Sequence, residues 1–306
     1  MVIVFDVMPE DDTGKLGVFL RRKGVSASLV RRLKYEPAGM MVDGRRAKTN
    51  QVLCRGQRVS ITLPPDEVPL AQPEDLPMEV VYETPHAMVV NKPAGLVMHP
   101  TRSHSSGTLA NAFAARMEKR ETTCAFRPVG RLDANTSGLV LLAMNAYAAP
   151  LLAKGMRKTY LALVQGRVWE DGVVDAPLSP SPDSVIAQQV HRQGSPSVTE
   201  YRVLQSEEEG SLLAFFPKTG RTHQIRVHMA HIGHPLLGDD LYGGDCHLMQ
   251  RHALHCARLR FPQPQGHEAH FFAPLPADMC AALSGIGLAA DIPLEELTCQ
   301  TIDTNV

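Results

Sequence analysis

The chain has 306 residues, 44% of them hydrophobic and 21% charged, which is ordinary for a globular protein and long enough for two domains. Its formal net charge is −1, yet residues 14–58 hold twelve basic side chains against two acidic ones, a local +10 that leaves −11 for the rest. Six cysteines without a C-x-x-C pair, and no run of about 18 apolar residues, exclude a disulfide scaffold and a membrane span.

In chain order, residues 1–8 are apolar but lack a basic flank and lead into Glu10, Asp11 and Asp12, so no secretory leader is expected and a cytoplasmic setting follows. The basic segment opens with a helix over residues 14–20, where Leu16, Phe19 and Leu20 share one face. A second helix is expected from Ser26, its Ser28, Val30, Arg31, Arg32 and Lys34 forming a basic side. Residues 40–47 read as strand, Asp43-Gly44 turn and strand, and residues 57–63 alternate as another strand. This order, with the ending Val42-Asp43-Gly44-Arg45 and Arg55-Gly56-Gln57-Arg58-Val59, resembles the S4 type of RNA-binding domain, although Glu36-Pro37-Ala38-Gly39 departs from its usual interior. A small α/β S4-like domain is therefore expected over residues 1–63, with Lys15, Arg21, Arg22, Arg31, Arg32, Lys34, Arg45 and Arg46 meeting the RNA backbone. The bland alternative is a solvated basic face without a partner, against which stands the self-repulsion of so dense a cluster.

Residues 64–77 carry Pro64, Pro65, Pro69, Pro73 and Pro77 among Asp66, Glu67, Glu74 and Asp75. They read as a stiff acidic linker between semi-independent domains. The second domain is expected over residues 78–290, with a tail over 291–306. Its strands are read at 79–82, 87–91, 139–143, 159–165, 198–205 and 212–216, and its helices at 109–119, 146–156 and 223–232. Strands outnumber helices without βαβ alternation, so the fold class is α+β on a largely antiparallel sheet.

Two stretches suggest chemistry. Asp133 follows Arg131 and precedes Asn135-Thr136-Ser137-Gly138 and the apolar run Leu139 to Ala143, which places a carboxylate at a loop-to-strand junction. Alone, it is as well explained as a turn residue. In Thr219-Gly220-Arg221-Thr222-His223-Gln224-Ile225-Arg226, Thr222 can cap the helix that follows, with Ile225, Met229 and Ile232 toward the core. Arg226 would then lie in its first turn, where its guanidinium could pair with Asp133 and favour the ionised carboxylate. Tyr160 in Lys158-Thr159-Tyr160 could stack on a base, or could be an ordinary core tyrosine. Cys246, His247, His252, His255 and Cys256 fit no common zinc spacing, and no G-x-G-x-x-G follows a strand, so neither metal nor dinucleotide is expected.

Five segments stand in the order found in the RluA family of pseudouridine synthases. They are Asn91-Lys92-Pro93-Ala94-Gly95-Leu96, Gly130-Arg131-Leu132-Asp133-Ala134-Asn135-Thr136-Ser137-Gly138, Lys158-Thr159-Tyr160, Gly220 to His228, and Gly233-His234-Pro235-Leu236-Leu237-Gly238-Asp239. Arg251-His252-Ala253-Leu254-His255 adds a sixth, and the resemblance covers residues 78–276. It implies a catalytic domain of the pseudouridine synthase type in which Asp133 is the catalytic aspartate and Arg131 helps expel the target base from its stack. It further implies that Tyr160 stacks on the flipped uracil, Arg226 pairs with Asp133 and Ile225 lines the pocket. Members usually carry His before Arg-Leu-Asp; here Gly130 stands instead, as it often does in the related RsuA-like group.

Such an enzyme needs no cofactor, because nothing is oxidised and no energy carrier is consumed. Its expected partner is RNA, large-subunit ribosomal RNA by the habit of S4-bearing members, with no membrane and no obligate protein partner. The alternatives are a tRNA synthase of the same kind, a non-catalytic S4-type RNA-binding protein, and a base-removing glycosidase, which would need a second carboxylate to activate water.

Overall fold

A computed structural model describes residues 1–11, 14–66, 71–101, 104–264 and 266–292. Glu67 and Pro69 of the expected linker, and nearly all of the expected C-terminal tail, lie outside them.

The apolar start of the chain is a strand, β1 (Val2–Asp6), on the edge of a four-stranded sheet. Two short helices follow, α1 (Leu16–Arg22) and α2 (Ala27–Leu33), then β2 (Met40–Val42), β3 (Arg45–Arg46) and β4 (Arg58–Thr62), ordered β1-β4-β2-β3 in the sheet. Ser26 caps α2 by accepting the Leu29 N–H at 3.2 Å. Val30, read as part of the basic side, is instead buried with Leu29 and Leu33 against Leu16, Phe19 and Leu20 of α1 and Val59 and Ile61 of β4. The β2–β3 turn needs two left-handed residues, supplied by Asp43 at φ 49 and Gly44 at φ 76.

The body contains β5 (Glu79–Glu83), β6 (Ala87–Lys92), α3 (Leu109–Lys119), β7 (Pro128–Val129), β8 (Ser137–Ala143), α4 (Ala148–Gly155) and β9 (Arg157–Gln165). It continues with β10 (Gly172–Asp175), β11 (Leu178–Pro180), β12 (Gln188–Val190), β13 (Val198–Ser206), β14 (Gly210–Pro217) and α5 (Gln224–His231). A 3₁₀ turn (Asp240–Tyr242) precedes β15 (Leu254–Pro262), β16 (Glu268–Phe272) and α6 (Ala277–Gly285). The main sheet runs β10-β13-β14-β9-β15-β8-β6-β5, with β16 paired to β15 and β7 to β8. The body is thus α+β, and all pairings in this sheet are antiparallel except β15 with β8.

That parallel contact positions the site. All seven residues of β8 are buried, as expected of a strand covered on both faces. It joins β15 through His255 opposite Ser137 and Cys256 opposite Gly138. A Cβ on Gly138 would lie 2.4 Å from the Cys256 carbonyl oxygen, and its φ is +106, so only glycine allows this approach. The Asp133 loop is delivered at the middle of the sheet.

Residues between the two sheets are bonded to the body rather than standing free. Asp66 pairs with Arg127 and accepts the Ala125 N–H at 2.8 Å, Asn111 donates to the Gln72 carbonyl at 2.8 Å, and Glu74 accepts the Gly107 N–H at 3.0 Å. Tyr147, at the start of α4, is 6% exposed within the apolar cluster of the N-terminal sheet and packs edge-on against Phe5. The acidic charge of the linker thus meets body arginine and backbone amides, which the proline spacing alone does not reveal.

Candidate active site

The loop before α5 explains how its side chains are held. Gln224 is buried: its carbonyl accepts from Thr219 Oγ1 at 2.8 Å and the Arg221 N–H at 3.0 Å, while its amide donates to Val198 O and Thr199 Oγ1 at 2.9 Å each. Thr222 is not the cap; His223 occupies that place in a left-handed conformation, φ 53, without a side-chain capping bond. Ile225 and Met229 are buried as expected, but Ile232 is 37% exposed because the helix ends at His231 and leaves it off the apolar face.

Arg226 is 5% exposed and grips Asp239 with two bonds of 2.7 Å, from Nε and Nη2. Its Nη1 faces Asp133 Oδ2 at 3.5 Å, an ion pair longer than a normal hydrogen bond. Burial works against its charge, and the Asp239 carboxylate outweighs it, holding the guanidinium above its ordinary pKa. Asp239 itself is fully buried, so the pair is a fixed post beside a partly exposed Asp133. Tyr242 lies under the same guanidinium, its ring centre 5.0 Å from Cζ.

His223 adds a second contact to Asp133. Tyr242 Oη accepts the Gln188 N–H at 2.9 Å and lies 2.8 Å from His223 Nδ1. His223 Nε2 faces Asp133 Oδ2 across 3.7 Å. Burial, the largest influence, lowers the His223 pKa despite the Asp133 charge, so the imidazole is neutral near pH 7.

On the other side of Asp133, Lys92 is 1% exposed and donates to three carbonyl oxygens, Pro93 at 2.8 Å, Leu96 at 2.9 Å and Ala134 at 2.8 Å. Three acceptors match the three protons of an ammonium, while burial pushes the group down to about 7. His252 Nε2 meets Thr136 Oγ1 at 2.9 Å and His255 Nδ1 meets Ser137 Oγ at 2.9 Å, which ties the residues after Asp133 to β15. Arg251 donates to Asn135 O at 3.0 Å and pairs with Asp278. The loop is therefore anchored immediately after Asp133, at each of residues 134–137.

A cavity of about 770 Å³ opens over these groups, with Arg131, Asp133, Tyr160, Ile225 and Arg226 all in its wall. Tyr160 lies opposite Cys256 in the β9–β15 register, and burial raises its hydroxyl well above the ordinary tyrosine pKa. Arg131 is exposed at the mouth. Among the described residues of the wall Asp133 is the sole carboxylate, set against the cations Arg131, Arg157, Lys158, Lys218, Arg221, Arg226, Arg258 and Arg260. The eight expected RNA-contacting residues lie outside this wall, on the N-terminal module: Arg21 and Arg22 end α1, Arg31 and Arg32 end α2, Arg45 and Arg46 form β3, and Lys15 and Lys34 flank the helices. All are exposed except Arg32, which is half-buried and donates to Pro65 O at 3.2 Å. Sequence reasoning did not single out Asp239, His223, Tyr242, Lys92 or Gln224. Four of them lie inside the motifs quoted above, Tyr242 just beyond the last of that loop, and only the fold shows which faces meet.

Comparison with known proteins places this geometry. The sequence model of the RNA pseudouridylate synthase family matches residues 86–231. A solved structure titled human RNA pseudouridylate synthase domain containing 1 superimposes with a TM-score of 0.55 at 26% identity, over 67% of this chain and 87% of that one. The body therefore has the fold of the pseudouridylate synthases. An uncharacterized RNA pseudouridine synthase of Bacillus subtilis is 35% identical over 272 residues, 86% of this chain and 95% of its own. The ribosomal large subunit pseudouridine synthase D of Xanthomonas campestris is 34% identical over 266 residues, 80% of each chain. The chain belongs to the RluA family of RNA pseudouridine synthases. No helix among the described residues is long and apolar enough to cross a membrane.

Proposed function

We propose that the protein converts uridine to pseudouridine in large-subunit ribosomal RNA, with Asp133 as the catalytic carboxylate. The observation that carries this reading is a single partly exposed carboxylate in a cation-walled cavity, backed by an arginine already locked to Asp239. In the reaction the C1′–N1 bond breaks, a C1′–C5 bond forms, and the proton on C5 ends on N1, so substrate and product are isomers. Asp133 assists by attacking the sugar carbon or the base ring. Arg226 and His223 set the carboxylate's orientation, Tyr160 stacks on the uracil, Ile225 packs against it, and Arg131 takes the place of the flipped base.

The wall argues against a glycosidase. Hydrolysis needs a second acid or base for water. Asp239, the other carboxylate that Arg226 meets, is fully buried and doubly bonded to Arg226. The +10 segment, read as an S4-like domain over residues 1–63, docks the RNA through phosphates, which positions it without reading sequence. Residues 64–77 serve as the connection to a catalytic domain over 78–290. Ribosomal RNA is preferred to tRNA because several relatives are named as large-subunit enzymes, among them one of Escherichia coli.

Pseudouridine mapping of total RNA from cells with and without the gene tests the substrate. The reading expects one or more ribosomal positions to revert to uridine in the deletion and to return with wild type but not with Asp133→Asn. An unchanged ribosomal map, or loss confined to tRNA, contradicts it.

A further inference from the structure

Gly130, the position where the chain departs from the usual family pattern, has a structural neighbour. Its φ is +76, and a Cβ placed on it would lie 3.3 Å from Lys158 Nζ and 3.2 Å from Met156 Cε. Lys158 alternates with Tyr160 along β9 and so shares its face, with both in the cavity wall. The ammonium therefore sits against the loop that carries Arg131 and Asp133, in space a side chain at 130 would contest.

Among the described residues no carboxylate pairs with Lys158, whereas its wall neighbours Arg260 and Lys218 hold Glu268 at 3.2 Å and Glu200 at 2.7 Å. Burial lowers its pKa, and the one titratable group that acts on it, Cys256, is a buried thiol pushed up to about 11 and hence neutral. Lys158 is half-buried in the wall, and a cation held there without a counter-charge is costly until an anion arrives. In RNA the anions are the phosphodiesters; the uracil ring offers only neutral acceptors at neutral pH.

We propose that Lys158, seated in the space left by Gly130, binds the phosphodiester adjacent to the nucleotide held against Tyr160. This rests on reading the cavity as the uridine site. The probes are uridine, uridine 3′-monophosphate and uridine 5′-monophosphate, titrated into the full chain and followed by amide chemical shifts. At least one monophosphate should bind about tenfold more tightly than uridine, as a charge-assisted bond provides. Lys158→Met should reduce that advantage to less than twofold, and Lys158→Arg should keep it; Lys158→Gln replaces the methionine variant if its thermal unfolding differs from wild type. An advantage that survives loss of the lysine charge, or no advantage in wild type, overturns the phosphate site. The catalytic reading fails separately, by the absence of pseudouridine in RNA treated with the wild-type protein.

Discussion

Arg226 directs its two shortest bonds to Asp239, so its guanidinium is in place before any substrate arrives. Removing it would leave the Asp239 carboxylate buried without a counter-charge, an effect commonly of about 3–5 kcal/mol. Arg226→Met should therefore lower the urea midpoint strongly as well as abolish activity, whereas Asp133→Asn, at a partly exposed group, should leave the midpoint close to wild type. Equal midpoints for Arg226→Met and wild type would show that Asp239 does not depend on it. Asp133 and Arg226 were legible in the sequence because their motifs carry them. The dominance of Asp239 was not, because a buried acid and a turn acid look alike in a one-dimensional string.

The β8–β15 contact is the element on which the site hangs, and its bonds involve two buried histidines. Burial lowers the pKa of His252 to about 2 and that of His255 to about 4, against 6.5 for a free imidazole. Both are depressed in the folded chain, so below about pH 6.5 the unfolded chain takes up protons that the folded one refuses. Stability from these groups is complete above that pH and falls on acidification, by up to about 1.4 kcal/mol per pH unit for each histidine. Urea midpoints at pH 7.5 and 5.0 should separate more for wild type than for His255→Asn; identical separation would remove His255 from the account. The helices α3, α4 and α5 and strand β8 were readable from apolar period and run length. Strands β7, β10 to β12, β15 and β16 and helix α6 were not expected; β10 to β12 are three or four residues long, too short for a period to register. No local pattern announces that β15 returns parallel to β8, since pairing is set by the whole sheet.

For the molecule as a whole, the charge split seen in composition has a spatial counterpart. The exposed cations of the N-terminal module and the cations of the cavity wall lie on two separate parts of one chain, and Asp66 and Tyr147 tie those parts together. The linker looked independent in sequence because proline spacing reports stiffness, not the partners of the acids between the prolines. Whether Asp133 performs the isomerisation in this cavity is decided with purified protein. Wild type and Asp133→Asn are incubated with unmodified large-subunit ribosomal RNA, and pseudouridine formation and RNA affinity are measured together. Wild type should convert the RNA, Asp133→Asn should be slower by a factor on the order of 10⁴ or more, and both should bind with equal affinity. Pseudouridine formed by Asp133→Asn at a rate near wild type would contradict that role for Asp133.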